Sequence, residues 1–404
     1  MGLAAALLCL CSGWYFASVI AREALGDKAP TVQQGLFPEW LGAREALQGR
    51  SPYRQDVTDR IHFVIYGSTA GSQSINQHRF AYPVYSAFLV LPLAIVPFPV
   101  AHGLALAGCL TLTLVSIHLW CRRLRLQQTS AVIVTVLIFA AYPTILGLQL
   151  CQPTLLIAGL LAVVVSRTTS GQLVWAGFLA ALCCAKPQLA IAVLLPLLIW
   201  AMNQWCDRKQ FIVSYACSIS ALLAASEILV PGWLPQWLDT VRVYSVYAGS
   251  KPLLVELFHG HSYFPAASLL VAFAAYISWK TCENDLLFAI SFSIAVFQLL
   301  FPFLLYNEIL LLPAALWLLR VSTEVTTGRQ IFELLRGCSW VLLLSGAAAA
   351  ALLTFCDLAV RGSGLKLWQI PFVTAWLYPW SVFLALAVHG LSRLGKFRPA
   401  EIQP

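Results

Sequence analysis

Apolar runs of about 20 residues, each enough to cross roughly 30 Å of hydrocarbon, recur along this chain. Hydrocarbon offers the backbone no hydrogen-bond partner, so such runs must fold as helices that satisfy their own N–H and C=O groups. The first covers Ala4 to Ile20; no basic residue precedes it and no small-residue cleavage site follows, as expected of an uncleaved helix rather than a signal peptide. The "MGLAAA" start lacks the Ser or Thr of a myristoylation signal. Further runs lie near 100–121, 129–148, 150–166, 172–186, 188–204, 210–230, 263–281, 285–303, 305–321, 337–356 and 370–392, about twelve in all. With 60% hydrophobic and 10% charged residues among 404, the composition excludes a soluble globular domain. The expected fold is an all-α polytopic transmembrane bundle forming a single integral domain, 1–404. The 12 Cys fall mostly inside apolar runs, such as Cys109, Cys183, Cys184 and Cys217, which argues for packing residues and against a disulfide framework or a CxxC metal site.

One apolar stretch is not a span. Tyr82 to Pro99, "YPVYSAFLVLPLAIVPFP", carries Pro83, Pro92, Pro97 and Pro99, and an interior proline costs a helix about 3 kcal/mol. Charge placement supports this. If the stretch stays on one side, "CRRLR" (121–125), "CDRK" (206–209), the segment 320–337 and the tail "SRLGKFRP" all face the cytoplasm, leaving that side strongly basic and the outside nearly neutral. The net charge of +8 is then a matter of membrane orientation and implies no nucleic-acid partner. Two external loops result: 23–99, closed by a half-embedded helical piece, and 231–262.

The first loop contains "GLFPEWLGAREALQGRSPY", residues 35–53. At about 100° per residue Leu36, Phe37, Trp40, Leu41, Ala43 and Leu47 share one arc, with Glu39, Gly42 and Ala46 away from it. This predicts an amphipathic helix on the outer membrane surface, with Trp40 at headgroup depth and Arg44 caught inside the apolar arc. A carboxylate at an interfacial helix, near Arg44, His78, Arg79 and Lys186, suits attack of a hydroxyl on a sugar carried by a lipid phosphate. The carboxylate takes the acceptor proton and the cations receive the departing phosphate. The plainer alternative is that these loop charges are simply solvated.

In order, "LFPEWLGAREALQGRSPY", "RFAYPVYSAFLVLPLAIVPFP", "LQLCQPTLLIAGLLAVV", "LAALCCAKPQLAIAVLLP", "PGWLPQWL" and "LLFPFLLYNEILLLPA" resemble glycosyltransferase family 87, of the GT-C superfamily, over about residues 30–315. The resemblance implies a helical bundle with two external loops framing the site. It also implies inverting transfer of a mannose-like sugar from a polyprenyl phosphate to a glycolipid or glycan. The family usually has an acid, taken as the base, where this chain has Gly35; Glu39, one turn later on the same face, is the expected substitute.

Lys186 in "AKPQ" is the preferred phosphate ligand, with snorkelling as its alternative. The resemblance puts Gln152, with Gln149, where family members carry a polar pair at the outer end of a helix, which implies binding of sugar hydroxyls or, alternatively, a cap on the chain reversal. Tyr306, Asn307 and Glu308 form a second external cluster, and Glu308 rivals Glu39 as the base. Arg242, Tyr244, Tyr247 and Lys251 offer an aromatic and basic face in the second loop. No cofactor is implied, and a metal at His259 and His261 lacks a third ligand. Expected partners are the polyprenyl-phosphate sugar, the glycan acceptor and membrane lipids, in a bacterial inner membrane with the site outward. A lipid-linked glycan flippase and a non-catalytic lipid-sugar-binding protein are the competing readings.

Overall fold

The computed structural model describes residues 35–67, 79–247, 252–258, 262–301, 304–324, 379–387 and 389–390. The expected first span and the span at 337–356 lie outside them, as does most of 370–392. The described residues are helical and contain no strand.

Among the described residues four helices precede the long ones: α1 (Leu36–Leu47), α2 (Gln55–Tyr66), α3 (Ser86–Leu89) and α4 (Leu91–Ala94). The proline-rich stretch does break up, into the two four-residue helices α3 and α4, with Pro92 at the start of the second. Its freed carbonyls find a donor in α1: the Trp40 indole N–H bonds Leu93 O at 3.1 Å and Val96 O at 3.2 Å. Helix α1 is therefore not a surface helix. Leu36, Phe37, Leu41, Gly42, Ala43 and Ala46 are all buried, on both sides of the supposed arc. The neighbours explain why. Phe80 packs directly on Gly42, Phe37 and Trp40 pack on Phe98, and the Glu45 carboxylate is neutralised by Arg50 at 2.6 Å and Arg60 at 2.9 Å. The exposed apolar surface of this loop belongs instead to α2, through Phe63, Val64 and Tyr66.

The bundle follows: α5 (Phe98–Arg123), α6 (Gln128–Ala140), α7 (Tyr142–Gln149), α8 (Pro153–Thr169), α9 (Leu173–Cys183), α10 (Pro187–Asn203), α11 (Trp205–Leu229), α12 (Trp233–Tyr247), α13 (Tyr263–Thr281), α14 (Leu286–Leu300) and α15 (Leu312–Glu324). Helices α5 and α11 are each long and apolar enough to cross a membrane. The pair α6 and α7, bent by 54°, makes a third if it is one broken span. The bend falls where Pro143 and an extended Ala141 (ψ 135°) interrupt the ladder. Helices α8, α9, α10 and α14 are apolar but shorter. The expected helix at 305–321 starts instead as a tight 3-10 turn, Leu305–Leu311, before α15.

Close packing orders the layers. A Cβ on Gly177 would stand 2.4 Å from Phe211 O, so glycine lets α9 and α11 approach backbone to backbone, and Ser214 Oγ donates to Val174 O at 2.7 Å across the same contact. Two ends of the bundle can be told apart. At one, Arg123 binds Ser166 O and Ser170 Oγ, Arg208 forms a bidentate pair with Glu283, and Asp285 caps α14. At the other lie the α7–α8 turn, the α9–α10 junction, the Tyr263 to Leu300 O hydrogen bond and the 3-10 turn. The basic junctions at 122–125, 167 and 208–209 thus share the first end.

Candidate functional site

At the second end several segments bring polar side chains into an otherwise apolar interior. The α7–α8 reversal runs through Cys151, held in the left-handed region (φ 48°), an uncommon conformation for a residue with a Cβ. It turns Gln152, the N-cap residue of α8, inward. Lys186, the N-cap of α10, is 4% exposed. Its ammonium donates to Thr154 Oγ1 at 2.9 Å and, more weakly, to Gln152 Oε1 at 3.4 Å. The rings of Tyr82 and Tyr306 flank it, with centroids 5.3 and 5.5 Å from Nζ.

The chain of hydrogen bonds beyond Lys186 has a fixed direction. An ammonium only donates, so Thr154 Oγ1 accepts from it and spends its own proton on Asn307 Oδ1 at 3.0 Å. Asn307 is further held through its carbonyl by Gln298 Nε2 at 3.2 Å. With its amide oxygen engaged, Asn307 keeps Nδ2 as its remaining donor.

Glu39 faces this group from α1. It is 2% exposed, neither carboxylate oxygen has a hydrogen-bond partner, and the Tyr82 hydroxyl approaches without reaching hydrogen-bond geometry. Burial pushes its pKa up to about 8, against the opposing pull of the Lys186 charge and the Tyr82 hydroxyl. Glu39 and Lys186 thus feel each other without closing an ion pair. Tyr244 of α12 lies close enough to feel the Glu39 charge. Helix α12 is tied to the first loop by Trp237 Nε1 to Ala81 O at 3.1 Å and by Ser51 Oγ with Gln236 Oε1 at 2.5 Å. The two predicted loops therefore pack against each other.

Of the residues singled out in the sequence, Glu39, Lys186, Gln152, Tyr306 and Asn307 converge. Others do not. Arg44 lies over the Trp40 ring, 4.8 Å from its centroid, and Arg79 donates to the exposed Gln55 at 3.1 Å. Both are spent on local contacts. Glu308 is buried with Oε1 unpartnered, but among the described residues no cation pairs with it, and it does not belong to the Lys186 network. Glu45, on the same helix as Glu39, is held in ion pairs: its Arg50 and Arg60 hydrogen bonds hold its carboxyl below the ordinary range. Arg242 pairs with Asp239 on an exposed face. His78, Lys251, His259 and His261 lie outside the described residues, as does the Tyr247 side chain. Thr154, Tyr82 and Gln298 were not singled out. Each looks like an ordinary core residue until its hydrogen-bond or ring partner is known.

Gly35 lies against the same network. A Cβ there would stand 2.0 Å from Leu150 O and 2.7 Å from Gln152 Nε2, so no side chain fits unless the α7–α8 turn moves. Gly35→Ala is expected to lower the melting temperature in detergent, by the equivalent of about 1–3 kcal/mol for an overpacked site. An unchanged melting curve would show that the turn yields freely.

No curated protein and no solved structure matches the chain. Residues 80–305, more than half of it, match the sequence model of glycosyltransferase family 87. That match takes in Tyr82, Gln152, Thr154, Lys186 and Tyr244, begins after Glu39, and ends just before Tyr306. A match over more than half of its residues shows the family: the chain belongs to glycosyltransferase family 87.

Proposed function

We propose that the protein moves a sugar, mannose in the first instance, from a polyprenyl phosphate to a glycolipid or glycan acceptor at the outer face of the membrane. The carrying observation is the buried Glu39 carboxyl set opposite the Lys186 ammonium with no ion pair between them. Such a gap suits a substrate that carries its own negative charge. Lys186 receives the phosphate, Tyr82 and Tyr306 present ring faces to the sugar, and Gln152 and Asn307 Nδ2 bind its hydroxyls. Glu39, as the carboxylate, takes the proton of the acceptor hydroxyl as that oxygen attacks the anomeric carbon and the lipid phosphate leaves from the opposite side. One direct displacement inverts the anomeric centre.

A lipid phosphate cannot leave the membrane, so the acceptor must come to the bilayer surface. The basic junctions at the far end of the bundle favour a cytoplasmic position for that end, which puts the Lys186 cluster outward. The same logic extends the arrangement to about twelve spans of GT-C type, with the first and second loops as external lids. The direct test is incubation of purified protein with a labelled panel of polyprenyl-phosphate sugars. Transfer or slow hydrolysis of one donor is expected; inertness toward every donor, with binding intact, would leave a lipid-sugar-binding protein instead.

Thr154 positions Lys186 in this reading. Thr154→Val keeps the shape but removes the acceptor of the ammonium, and is expected to lower kcat/KM about tenfold, mainly through donor KM. Thr154→Ser should restore it. Failure of the serine variant would mark the threonine methyl, rather than its hydroxyl, as the feature that matters.

A further inference from the structure

At the opposite end of the bundle α8 and α9 form a tight antiparallel hairpin, closed at its mouth by a hydrogen bond from Arg167 to Gln172 Oε1. A groove of about 600 Å3 runs along this hairpin, lined by Val163, Arg167, Gln172, Trp175 and Leu179. Val163 and Arg167 are one turn apart on α8, and Trp175 and Leu179 are one turn apart on α9, so the groove lies between two parallel ridges. It is apolar along Val163 and Leu179 and cationic at its mouth. Trp175, 63% exposed, stands at the rim.

We propose that this groove holds one anionic phospholipid, with its phosphate at Arg167 and one acyl chain along Val163 and Leu179. Charge complementarity selects this occupant. Among the described residues Arg167 is bound to a neutral amide and to no carboxylate, and Arg123, anchored to Ser166 O and Ser170 Oγ within the same last turn of α8, likewise meets no carboxylate. Two uncompensated guanidiniums beside a tryptophan at the end of an apolar helix match a phosphate at headgroup depth. The volume falls within the ~300–1,000 Å3 usual for small-ligand sites.

The ligand is not the sugar donor. Helix α8 has 17 residues, about 25 Å at 1.5 Å per residue, and carries Thr154 at one end and Arg167 at the other. The groove therefore faces the leaflet opposite the Lys186 cluster. One helix thus connects a lipid contact in one leaflet with the transferase cluster at the other.

The test uses full-length protein, purified with dioleoylphosphatidylglycerol or dioleoylphosphatidylcholine at equal mole fraction and examined by native mass spectrometry after detergent washing. One phosphatidylglycerol is expected to remain, at about tenfold the occupancy of phosphatidylcholine. Arg167→Gln should abolish that preference, and Val163→Trp, which fills the apolar half while keeping the charge, should remove the lipid. Lys186→Met should retain it, which separates this site from the transferase cluster. Equal retention of the two lipids, no retained phosphatidylglycerol, or retention indifferent to both groove variants would overturn the proposal.

Discussion

Glu39→Gln will lower transfer by about 10²-fold or more, the usual scale for loss of a general base, and will stabilise the protein while doing so. Both effects come from the same geometry. The carboxyl is fully enclosed with two unpartnered oxygens, which makes its ionised form costly to the fold, and a neutral amide removes the charge without changing the shape. The sign follows from the raised pKa. In the unfolded chain the group titrates near 4.5 and in the folded chain at about 8. Its favourable contribution is therefore complete below pH 4.5 and is lost as pH rises toward 8. The melting temperature of the wild type should fall relative to the Gln variant across that window. Activity should run the other way, because in the proposed mechanism the base works as the carboxylate: kcat/KM of the wild type should rise with pH and level off above about 8. A variant with full turnover would remove Glu39 from the mechanism. A variant that is slow but no more stable would mean that the carboxyl is hydrated or partnered in the folded protein, so that its ionised form costs the fold nothing.

Lys186→Met will lower kcat/KM by roughly 10²-fold or more, since leaving one member of a buried charged set without its counterpart costs about 2–5 kcal/mol. Lys186→Arg should not rescue it. The ammonium fits between two tyrosine rings with Thr154 as acceptor, and a planar guanidinium needs a wider, forked set of partners. Lys186→Met also removes the positive charge that holds the Glu39 pKa down, so the midpoint of its residual activity should move to higher pH. A measured pH–rate profile checks this. A profile that keeps its midpoint while activity falls would mean that the two groups are not coupled, and would detach Lys186 from the base.

Much of the scaffold was legible from local chemistry. Helix α5 extends two residues either side of the expected 100–121, and α13 coincides with 263–281, because long apolar runs bounded by polar residues leave the backbone few alternatives. The prolines between Tyr82 and Pro99 prevented a long helix, as their missing N–H groups require. Periodicity misled at α1. An arc of apolar residues says which face is greasier, not whether other segments cover the opposite face, and here Phe80, Arg50 and Arg60 do so.

Residue types together with the family resemblance marked Glu39, Lys186, Gln152, Tyr306 and Asn307, because ionisable and amide groups amid apolar sequence must either find partners or serve a ligand. Composition and spacing likewise determined an all-helical membrane protein and the end at which its basic junctions gather. Only the tertiary structure decided which charges are already spent. Arg44 on Trp40, Arg79 on Gln55 and Glu45 on two arginines look the same in sequence as Lys186 and Glu39. Arg44 and Glu45 find partners only four to fifteen residues away, whereas Lys186 meets Thr154, Tyr82 and Tyr306 from other elements; which of these contacts close, and where water is excluded so that an unmet charge keeps its strength, is set by the packing of the whole bundle.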